Sequence, residues 1–311
     1  MTWYDLVALY RFRNQVVCVD SALSLTRGNP AGLAAFLWNF SPVSGSFTGV
    51  VPAANGKPQL IGQVLNGGAD HSARITFIMP SSGIEPSQLA RLAEGLTCQA
   101  GEWGAYNLLA EVDERSSAFE GLRKLGFALY ARQRVWKLAE TPTRNGHSHN
   151  NPWQMASDED ETAVRSLYQS LTPPLVQSAE PITSSRLPGL ICRVDGEILA
   201  YVDVINGPLG IFLQPLIHPE VEDVPLLLSG LMDRLPARMN RPVYLAVRTY
   251  QAWLEPLLDE MGAESSNRHA LLVRHLVAGQ RSLVTNSRLA VIEKRQTEPS
   301  LVKNIHSNGD Q

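Results

Sequence analysis

Three groups of residues in this sequence have the types and spacing to do chemistry. Glu111 lies near the end of the apolar run Leu108-Leu109-Ala110-Glu111-Val112, where a carboxylate either serves as general base toward an amine or faces water. Met79, Ser81, Ser82 and Gly83 stand between a strand-like run and a helical one opening at Pro86. Backbone N–H groups there can receive an anion, and the two hydroxyls bind phosphate or cap the helix. His218, Arg248 and Tyr250 form the third group: the arginine can make a paired hydrogen bond to a carboxylate or phosphate, or stack on the tyrosine ring. No metal site is expected, because the His147 and His149 pair sits in a polar stretch with no third ligand. No G-x-S-x-G, Walker loop or H-E-x-x-H occurs, which removes the common hydrolase, P-loop and zincin readings.

The elements that position these residues occur twice. Residues 75–112 laid over 210–247 without a gap match Phe77 with Phe212, Pro80 with Pro215, Glu85 with Glu220 and Leu92 with Leu227. Leu89, Leu92, Ala93, Leu96 and Ala100 fall on Val224, Leu227, Leu228, Leu231 and Leu235, the same i, i+3, i+4, i+7, i+11 stripe of an amphipathic helix. In the first half the patterns predict strands over 46–51, 59–65 and 74–79, a helix from Pro86, a strand over 108–112, a helix from Ser117 with Glu120 completing a capping box, and a strand over 130–138. Earlier, Trp3 to Tyr10 and Pro30 to Trp38 read as helices. In the second half Ser157 and Asp160 cap a helix, and Asp195-Gly196 turns a two-residue hairpin between 190–194 and 198–204. A strand over 210–214, a helix to Leu235, a strand over 243–247, a helix over 253–261 and a strand over 270–275 complete the copy. In each half the crossover helix should leave its flanking strands parallel, with the candidate residues at their carboxyl ends.

The closing segment of the first half, from Gly104-Ala105-Tyr106-Asn107 through Leu125-Gly126-Phe127 to Gln133, resembles the last strand, helix and strand of the GNAT acetyltransferase superfamily. Arg241 to Arg248, the Trp253 helix and Met261-Gly262-Ala263 repeat it. Gly126 also reads as a helix stop and Phe127 as core. The resemblance implies a mixed α/β chain of two tandem GNAT-like folds, each a mostly antiparallel sheet with flanking helices. It further implies acetyl-CoA or another acyl-CoA as co-substrate, its pyrophosphate on the loop after the fourth strand. Both loops depart from the family's glycine-rich pattern, and Glu85 stands where phosphates would rest, opposing them by about 3 kcal/mol at ~5 Å and an effective dielectric of ~20. Leu122 and Leu258 occupy the place of the tyrosine that often protonates the leaving thiolate. The expected reaction is direct attack of an amine on the thioester, with Glu111 or water as base, the amides near Met79 to Gly83 polarising the carbonyl and one half purely structural. The first half is the preferred site because it keeps Gly83. The alternative is a non-catalytic ligand-binding or interaction protein on two worn copies of the fold.

Composition bounds the rest. The 311 residues carry a formal net charge of -3, which leaves no cationic excess for nucleic acid. Cys18, Cys98 and Cys192 are widely spaced, no run suits a membrane span and no leader pattern opens the chain, so a cytoplasmic protein without nucleic-acid or membrane partners is expected. The expected divisions are 1–139, a polar linker over 140–152, 153–278 and a loose tail over 279–311.

Overall fold

A computed structural model describes residues 15–29, 45–52, 59–67, 71–81, 84–139, 151–182, 189–235 and 241–276. The helices expected over 3–10 and 30–38, most of the 140–152 linker and the tail lie outside these residues. The first half contributes β1 (Val17–Cys18), α1 (Ser21–Arg27), β2 (Ser46–Val51), β3 (Leu60–Asn66), β4 (Ser72–Met79), α2 (Pro86–Glu102), β5 (Asn107–Asp113), α3 (Ser117–Lys124) and β6 (Ala128–Lys137). The second contributes β7 (Trp153–Met155), α4 (Glu161–Leu171), α5 (Pro174–Ala179), β8 (Gly189–Val194), β9 (Glu197–Asn206), β10 (Ile211–Ile217), α6 (Val224–Arg234), β11 (Val243–Arg248), α7 (Leu254–Glu260) and β12 (Glu264–His275).

All strands join one sheet in the order β2-β3-β4-β5-β12-β6-β11-β10-β9-β8-β7, with β1 against β4. Each half therefore gives its last strand to the other: β12 pairs with β5, β6 pairs with β11, and the two exchanged strands pair with each other. Alternating side chains feed opposite faces. Leu108, Ala110 and Val112 join the core under α2 and α3, whereas Leu109 joins the one under α5. Two helices also cross over. Ala22 and Leu25 of α1 pack on Phe212 and Ala246 of the second half, and Val176 and Ala179 of α5 pack on Leu109 and Tyr130 of the first.

The pairing register carries the repeat. Gln133 and His269, 136 positions apart, are partners of one another in the β6–β12 pair. Asp113 pairs with His269 while Arg248, 135 positions after Asp113, pairs with Gln133. Equivalent residues thus exchange places about a pseudo-twofold axis through the Gln133–His269 pair. The ungapped alignment, however, is wrong at the fourth strand. Arg74 faces Leu109 across the β4–β5 pair and Phe212 faces Tyr244 across β10–β11, so Phe212 corresponds to Arg74 rather than Phe77. The second crossover is three residues shorter. Three residues are nearly one helical turn, so the apolar stripe stays almost in phase across the slip.

Other elements follow the expected local chemistry with small shifts. Asp195 and Gly196 turn their hairpin at φ 51° and 90°, the left-handed pair a tight turn needs. Gly126 and Gly262 end α3 and α7 at φ 86° and 75°, and Phe127 is core. The capping residue of α3 is Ser116, not Ser117, its hydroxyl accepting the Phe119 N–H. Strand β10 runs to Ile217 instead of stopping at Gln214. Strands β1 and β7 and helices α1 and α5 were not anticipated, being too short for a period to show.

Candidate functional site

In each half two parallel strands pair briefly and then part, opening a crevice at their carboxyl ends where ligands favour binding. Strands β4 and β5 pair from Ser72 and Asn107 only as far as Arg74 and Leu109. Beyond that point β1 enters the gap. Val17 and Cys18 pair with Ile78 and Phe77, the Val19 N–H donates to the Thr76 carbonyl (2.9 Å), and the Glu111 N–H donates to the Val19 carbonyl (3.1 Å). The Ser81 N–H, an expected anion donor, goes instead to the Gln15 carbonyl (2.8 Å). Under β1 remains a cavity of about 10 Å³ bounded by Asp20, Arg74, Glu111 and Tyr130, room for one water and no acyl chain. Met79 is fully buried beside Ile61 and Phe77, and Ser82 and Gly83 lie outside the described residues.

Glu111 is occupied. Its Oε1 accepts from the Ser21 hydroxyl, from Gln133 Nε2 (2.8 Å) and from His269 Nδ1 (2.7 Å), and its Oε2 from the Ser21 N–H (3.0 Å). Burial alone would raise the carboxyl pKa, but the bond and charge of His269 and the two Ser21 bonds hold it below its usual value. For His269, burial opposes protonation and Glu111 more than offsets it, so its pKa is raised. Serine, histidine and glutamate in contact suggest a nucleophile relay, but the geometry is not one. The Ser21 hydroxyl meets the same Nδ1 (3.0 Å) that must carry the proton given to Glu111, so that nitrogen cannot take the serine's proton. The cluster pins the first turn of α1 to β5 and β12.

The second crevice opens between β10 and β11 after Leu213 and Leu245. Among the described residues no strand enters it. Pro215, two residues on, has no N–H to offer a neighbour. Arg248, at the end of β11, pairs with Glu180 (2.5 Å), which also takes Arg74 (3.0 Å) and the Tyr130 hydroxyl (2.8 Å). Burial pushes the Glu180 carboxyl up, yet Arg248 and Arg74 prevail and hold it at about 2. Arg248 thus spends its charge inside the protein. Tyr250 is half-buried between the α4 and α5 cores. His218 follows β10, its N–H bonded to the Leu199 carbonyl (2.8 Å) and its Nδ1 3.5 Å from Glu220. Among the described residues no hydrogen bond joins His218 to Arg248 or Tyr250. At the start of α6 the Asp223 carboxylate caps the Leu226 N–H (2.9 Å), with Glu220 and Glu222 beside it in sequence.

Residues absent from the sequence reading carry much of this geometry: Ser21, Gln133 and His269 around Glu111, and Arg74, Tyr130 and Glu180 around Arg248. In the Glu111 cluster the contacts join residues 22 to 248 positions apart, so no local motif marks them.

No family model and no curated protein matches the chain. Solved structures do. A GCN5-related N-acetyltransferase from Sphaerobacter thermophilus superposes with a TM-score of 0.52 at 12% identity, covering 85% of this chain and 96% of that one. One from Kribbella flavida gives 0.45 at 13%, covering 69% and 86%, and a tandem GNAT protein from the clavulanic acid biosynthesis pathway gives 0.47 at 16%, covering 88% and 96%. Taken with the Sphaerobacter likeness and the pseudo-twofold register, the chain has the fold of the GCN5-related N-acetyltransferases, laid down twice in one continuous sheet.

Proposed function

We propose that this protein is a GNAT-type N-acyltransferase in which the second half accepts the acyl-CoA and the first is its structural partner. One contrast carries the reading: β1 bridges the β4–β5 gap with backbone hydrogen bonds, while no described strand bridges the β10–β11 gap. His218 and Tyr250 at that second rim are the candidate contacts for substrate, and Arg248 acts through Glu180 to hold the rim in place. The acceptor amine attacks the thioester carbon directly, its proton passes to water, and the carbon–sulfur bond breaks to release CoA. Glu111, with Oε1 already accepting three bonds, is assigned a structural role. Asp223, Glu220 and Glu222 oppose the pyrophosphate, so affinity comes from the acyl-bearing end of the CoA lying in the crevice and is weak. A non-catalytic binding protein is the second reading, favoured by the Asp223 carboxylate on the helix N-terminus where the pyrophosphate would dock.

Calorimetric titration with acetyl-CoA, joined to hydrogen-exchange mapping, decides between them. The acyltransferase reading expects protection at 214–218 and 246–251, and at least about tenfold tighter binding after Glu220→Gln with Glu222→Gln, since each removed charge relieves a kilocalorie or more of repulsion. Protection at 75–81 instead would return the site to the first half. No binding by either protein leaves the non-catalytic reading.

A further inference from the structure

A second polar cavity lies close to the pseudo-twofold axis and shares no lining residue with the one under β1. It measures about 330 Å³ and is lined by Glu114, Arg115, Arg134, Ser266, Asn267 and Arg268. These residues come from the turn after β5, from β6, and from the bulge in β12 between Ser265 and Arg268. Three features give the cavity a chemical preference. Arg134 and Arg268 are direct partners across the β6–β12 pair, an arrangement of like charges that costs stability unless something neutralises it. Arg134 is paired with Glu255 (2.6 Å) through one terminal nitrogen and its Nε is buried, which leaves its other terminal nitrogen for a ligand. Among the described residues no carboxylate lies within ion-pair distance of Arg115 or Arg268, while Glu114 is taken by Arg132.

We propose that this cavity binds a small ligand through a phosphate group, held by Arg115, Arg134 and Arg268. With Arg134 paired to Glu255 and Glu114 to Arg132, Arg115 and Arg268 are the two lining guanidinium groups without an ion-pair partner among the described residues, a charge that a phosphate dianion offsets. Its shape fits too. A planar carboxylate is satisfied by one guanidinium fork, whereas three forks arriving from three separate elements match the diverging oxygens of a tetrahedral phosphate. The backbone supports the site: the Asp113 carboxylate accepts from the Arg115 N–H (2.8 Å) and from Asn267 Nδ2 (2.9 Å), tying the turn after β5 to the β12 bulge. The volume is near the lower end of small-molecule sites, enough for a phosphate on a compact organic body.

The test titrates the full chain with inorganic phosphate at low salt, with malonate as a dianion built from two planar carboxylates, by calorimetry and thermal shift. Saturable phosphate binding is expected, at least about tenfold tighter than malonate and weakened about tenfold or more by Arg115→Gln with Arg268→Gln. Both side chains are exposed, so the variant keeps its fold, as circular dichroism will verify, and the acetyl-CoA titration at the second crevice is unaffected. Absence of saturable phosphate binding, equal or tighter binding of malonate, or binding unchanged in the double variant would each overturn the assignment.

Discussion

Two crevices that occupy equivalent places in the repeat have been treated differently by the chain around them. Between β4 and β5 the gap is knitted shut by β1, and Glu111 of β5 is turned inward to hold α1. Between β10 and β11 no described strand enters, but the buried Gln251 amide after β11 donates to the Ile217 carbonyl at the end of β10 (3.1 Å), the start of α6 carries the Asp223 cap and the rim arginine is bound to Glu180. Equivalent gaps in the two copies are therefore bridged by different means. In the first copy a backbone segment fills the gap between the parallel strands, and in the second no described strand does while carboxylates stand at the start of the crossover helix.

The largest expected effect tests the rim of the second crevice. Glu180→Ala should cost about 3–5 kcal/mol in urea unfolding, because it leaves the Arg248 guanidinium buried and facing Arg74 with no counter-charge. A loss below about 1 kcal/mol would mean that Glu180 does not hold that rim. The same carboxyl gives an acid signature. Its folded pKa is about 2 against an ordinary 4.5, so its contribution is present above pH 4.5 and disappears as pH falls toward 2. The contribution is on the order of 3 kcal/mol, and Glu180→Gln should flatten that part of the stability curve.

Opening the first crevice sharpens the contrast from the other side. Val19→Pro removes the donor to Thr76 and should cost about 3 kcal/mol, with faster exchange at the amides of β4. Unchanged exchange there would show that β1 is not the plug. The two copies should respond alike where their backbones are alike. Gly126→Ala and Gly262→Ala, both at positive φ with open space around the added methyl, should each cost about 1 kcal/mol. A clear inequality between them would weaken the twofold correspondence.

The smallest effect concerns the Glu111 cluster. His269 gains basicity on folding, so its contribution is complete below pH 6.5 and is lost as pH rises through its higher folded value. A decline of under about 1 kcal/mol is expected across that window, read by chemical denaturation at several pH values. It should be absent in His269→Gln.

Much of the fold was legible because its signals are local. A two-residue Asp-Gly turn, a serine and aspartate at a helix start and a glycine after Leu125 each state their conformation within a few residues. The site was less legible. Glu111 and Arg248 were identified as the charged groups at the strand ends, but nothing near them in the chain announces the partners that bind them. Glu180 sits in an ordinary Ser-Ala-Glu-Pro segment and becomes the hub of two arginines and a tyrosine only when α5 crosses to the other half.

Taken alone, the sequence determined the periodicities, the turns and the repetition, since each depends on spacing along one stretch of chain. Which last strand goes to which half, and what fills each crevice, depended on contacts between segments far apart in the chain. Those choices are decided by burial and by the pairing of buried charges and backbone groups. Only the assembled sheet, where both halves compete for the same central positions, could settle them.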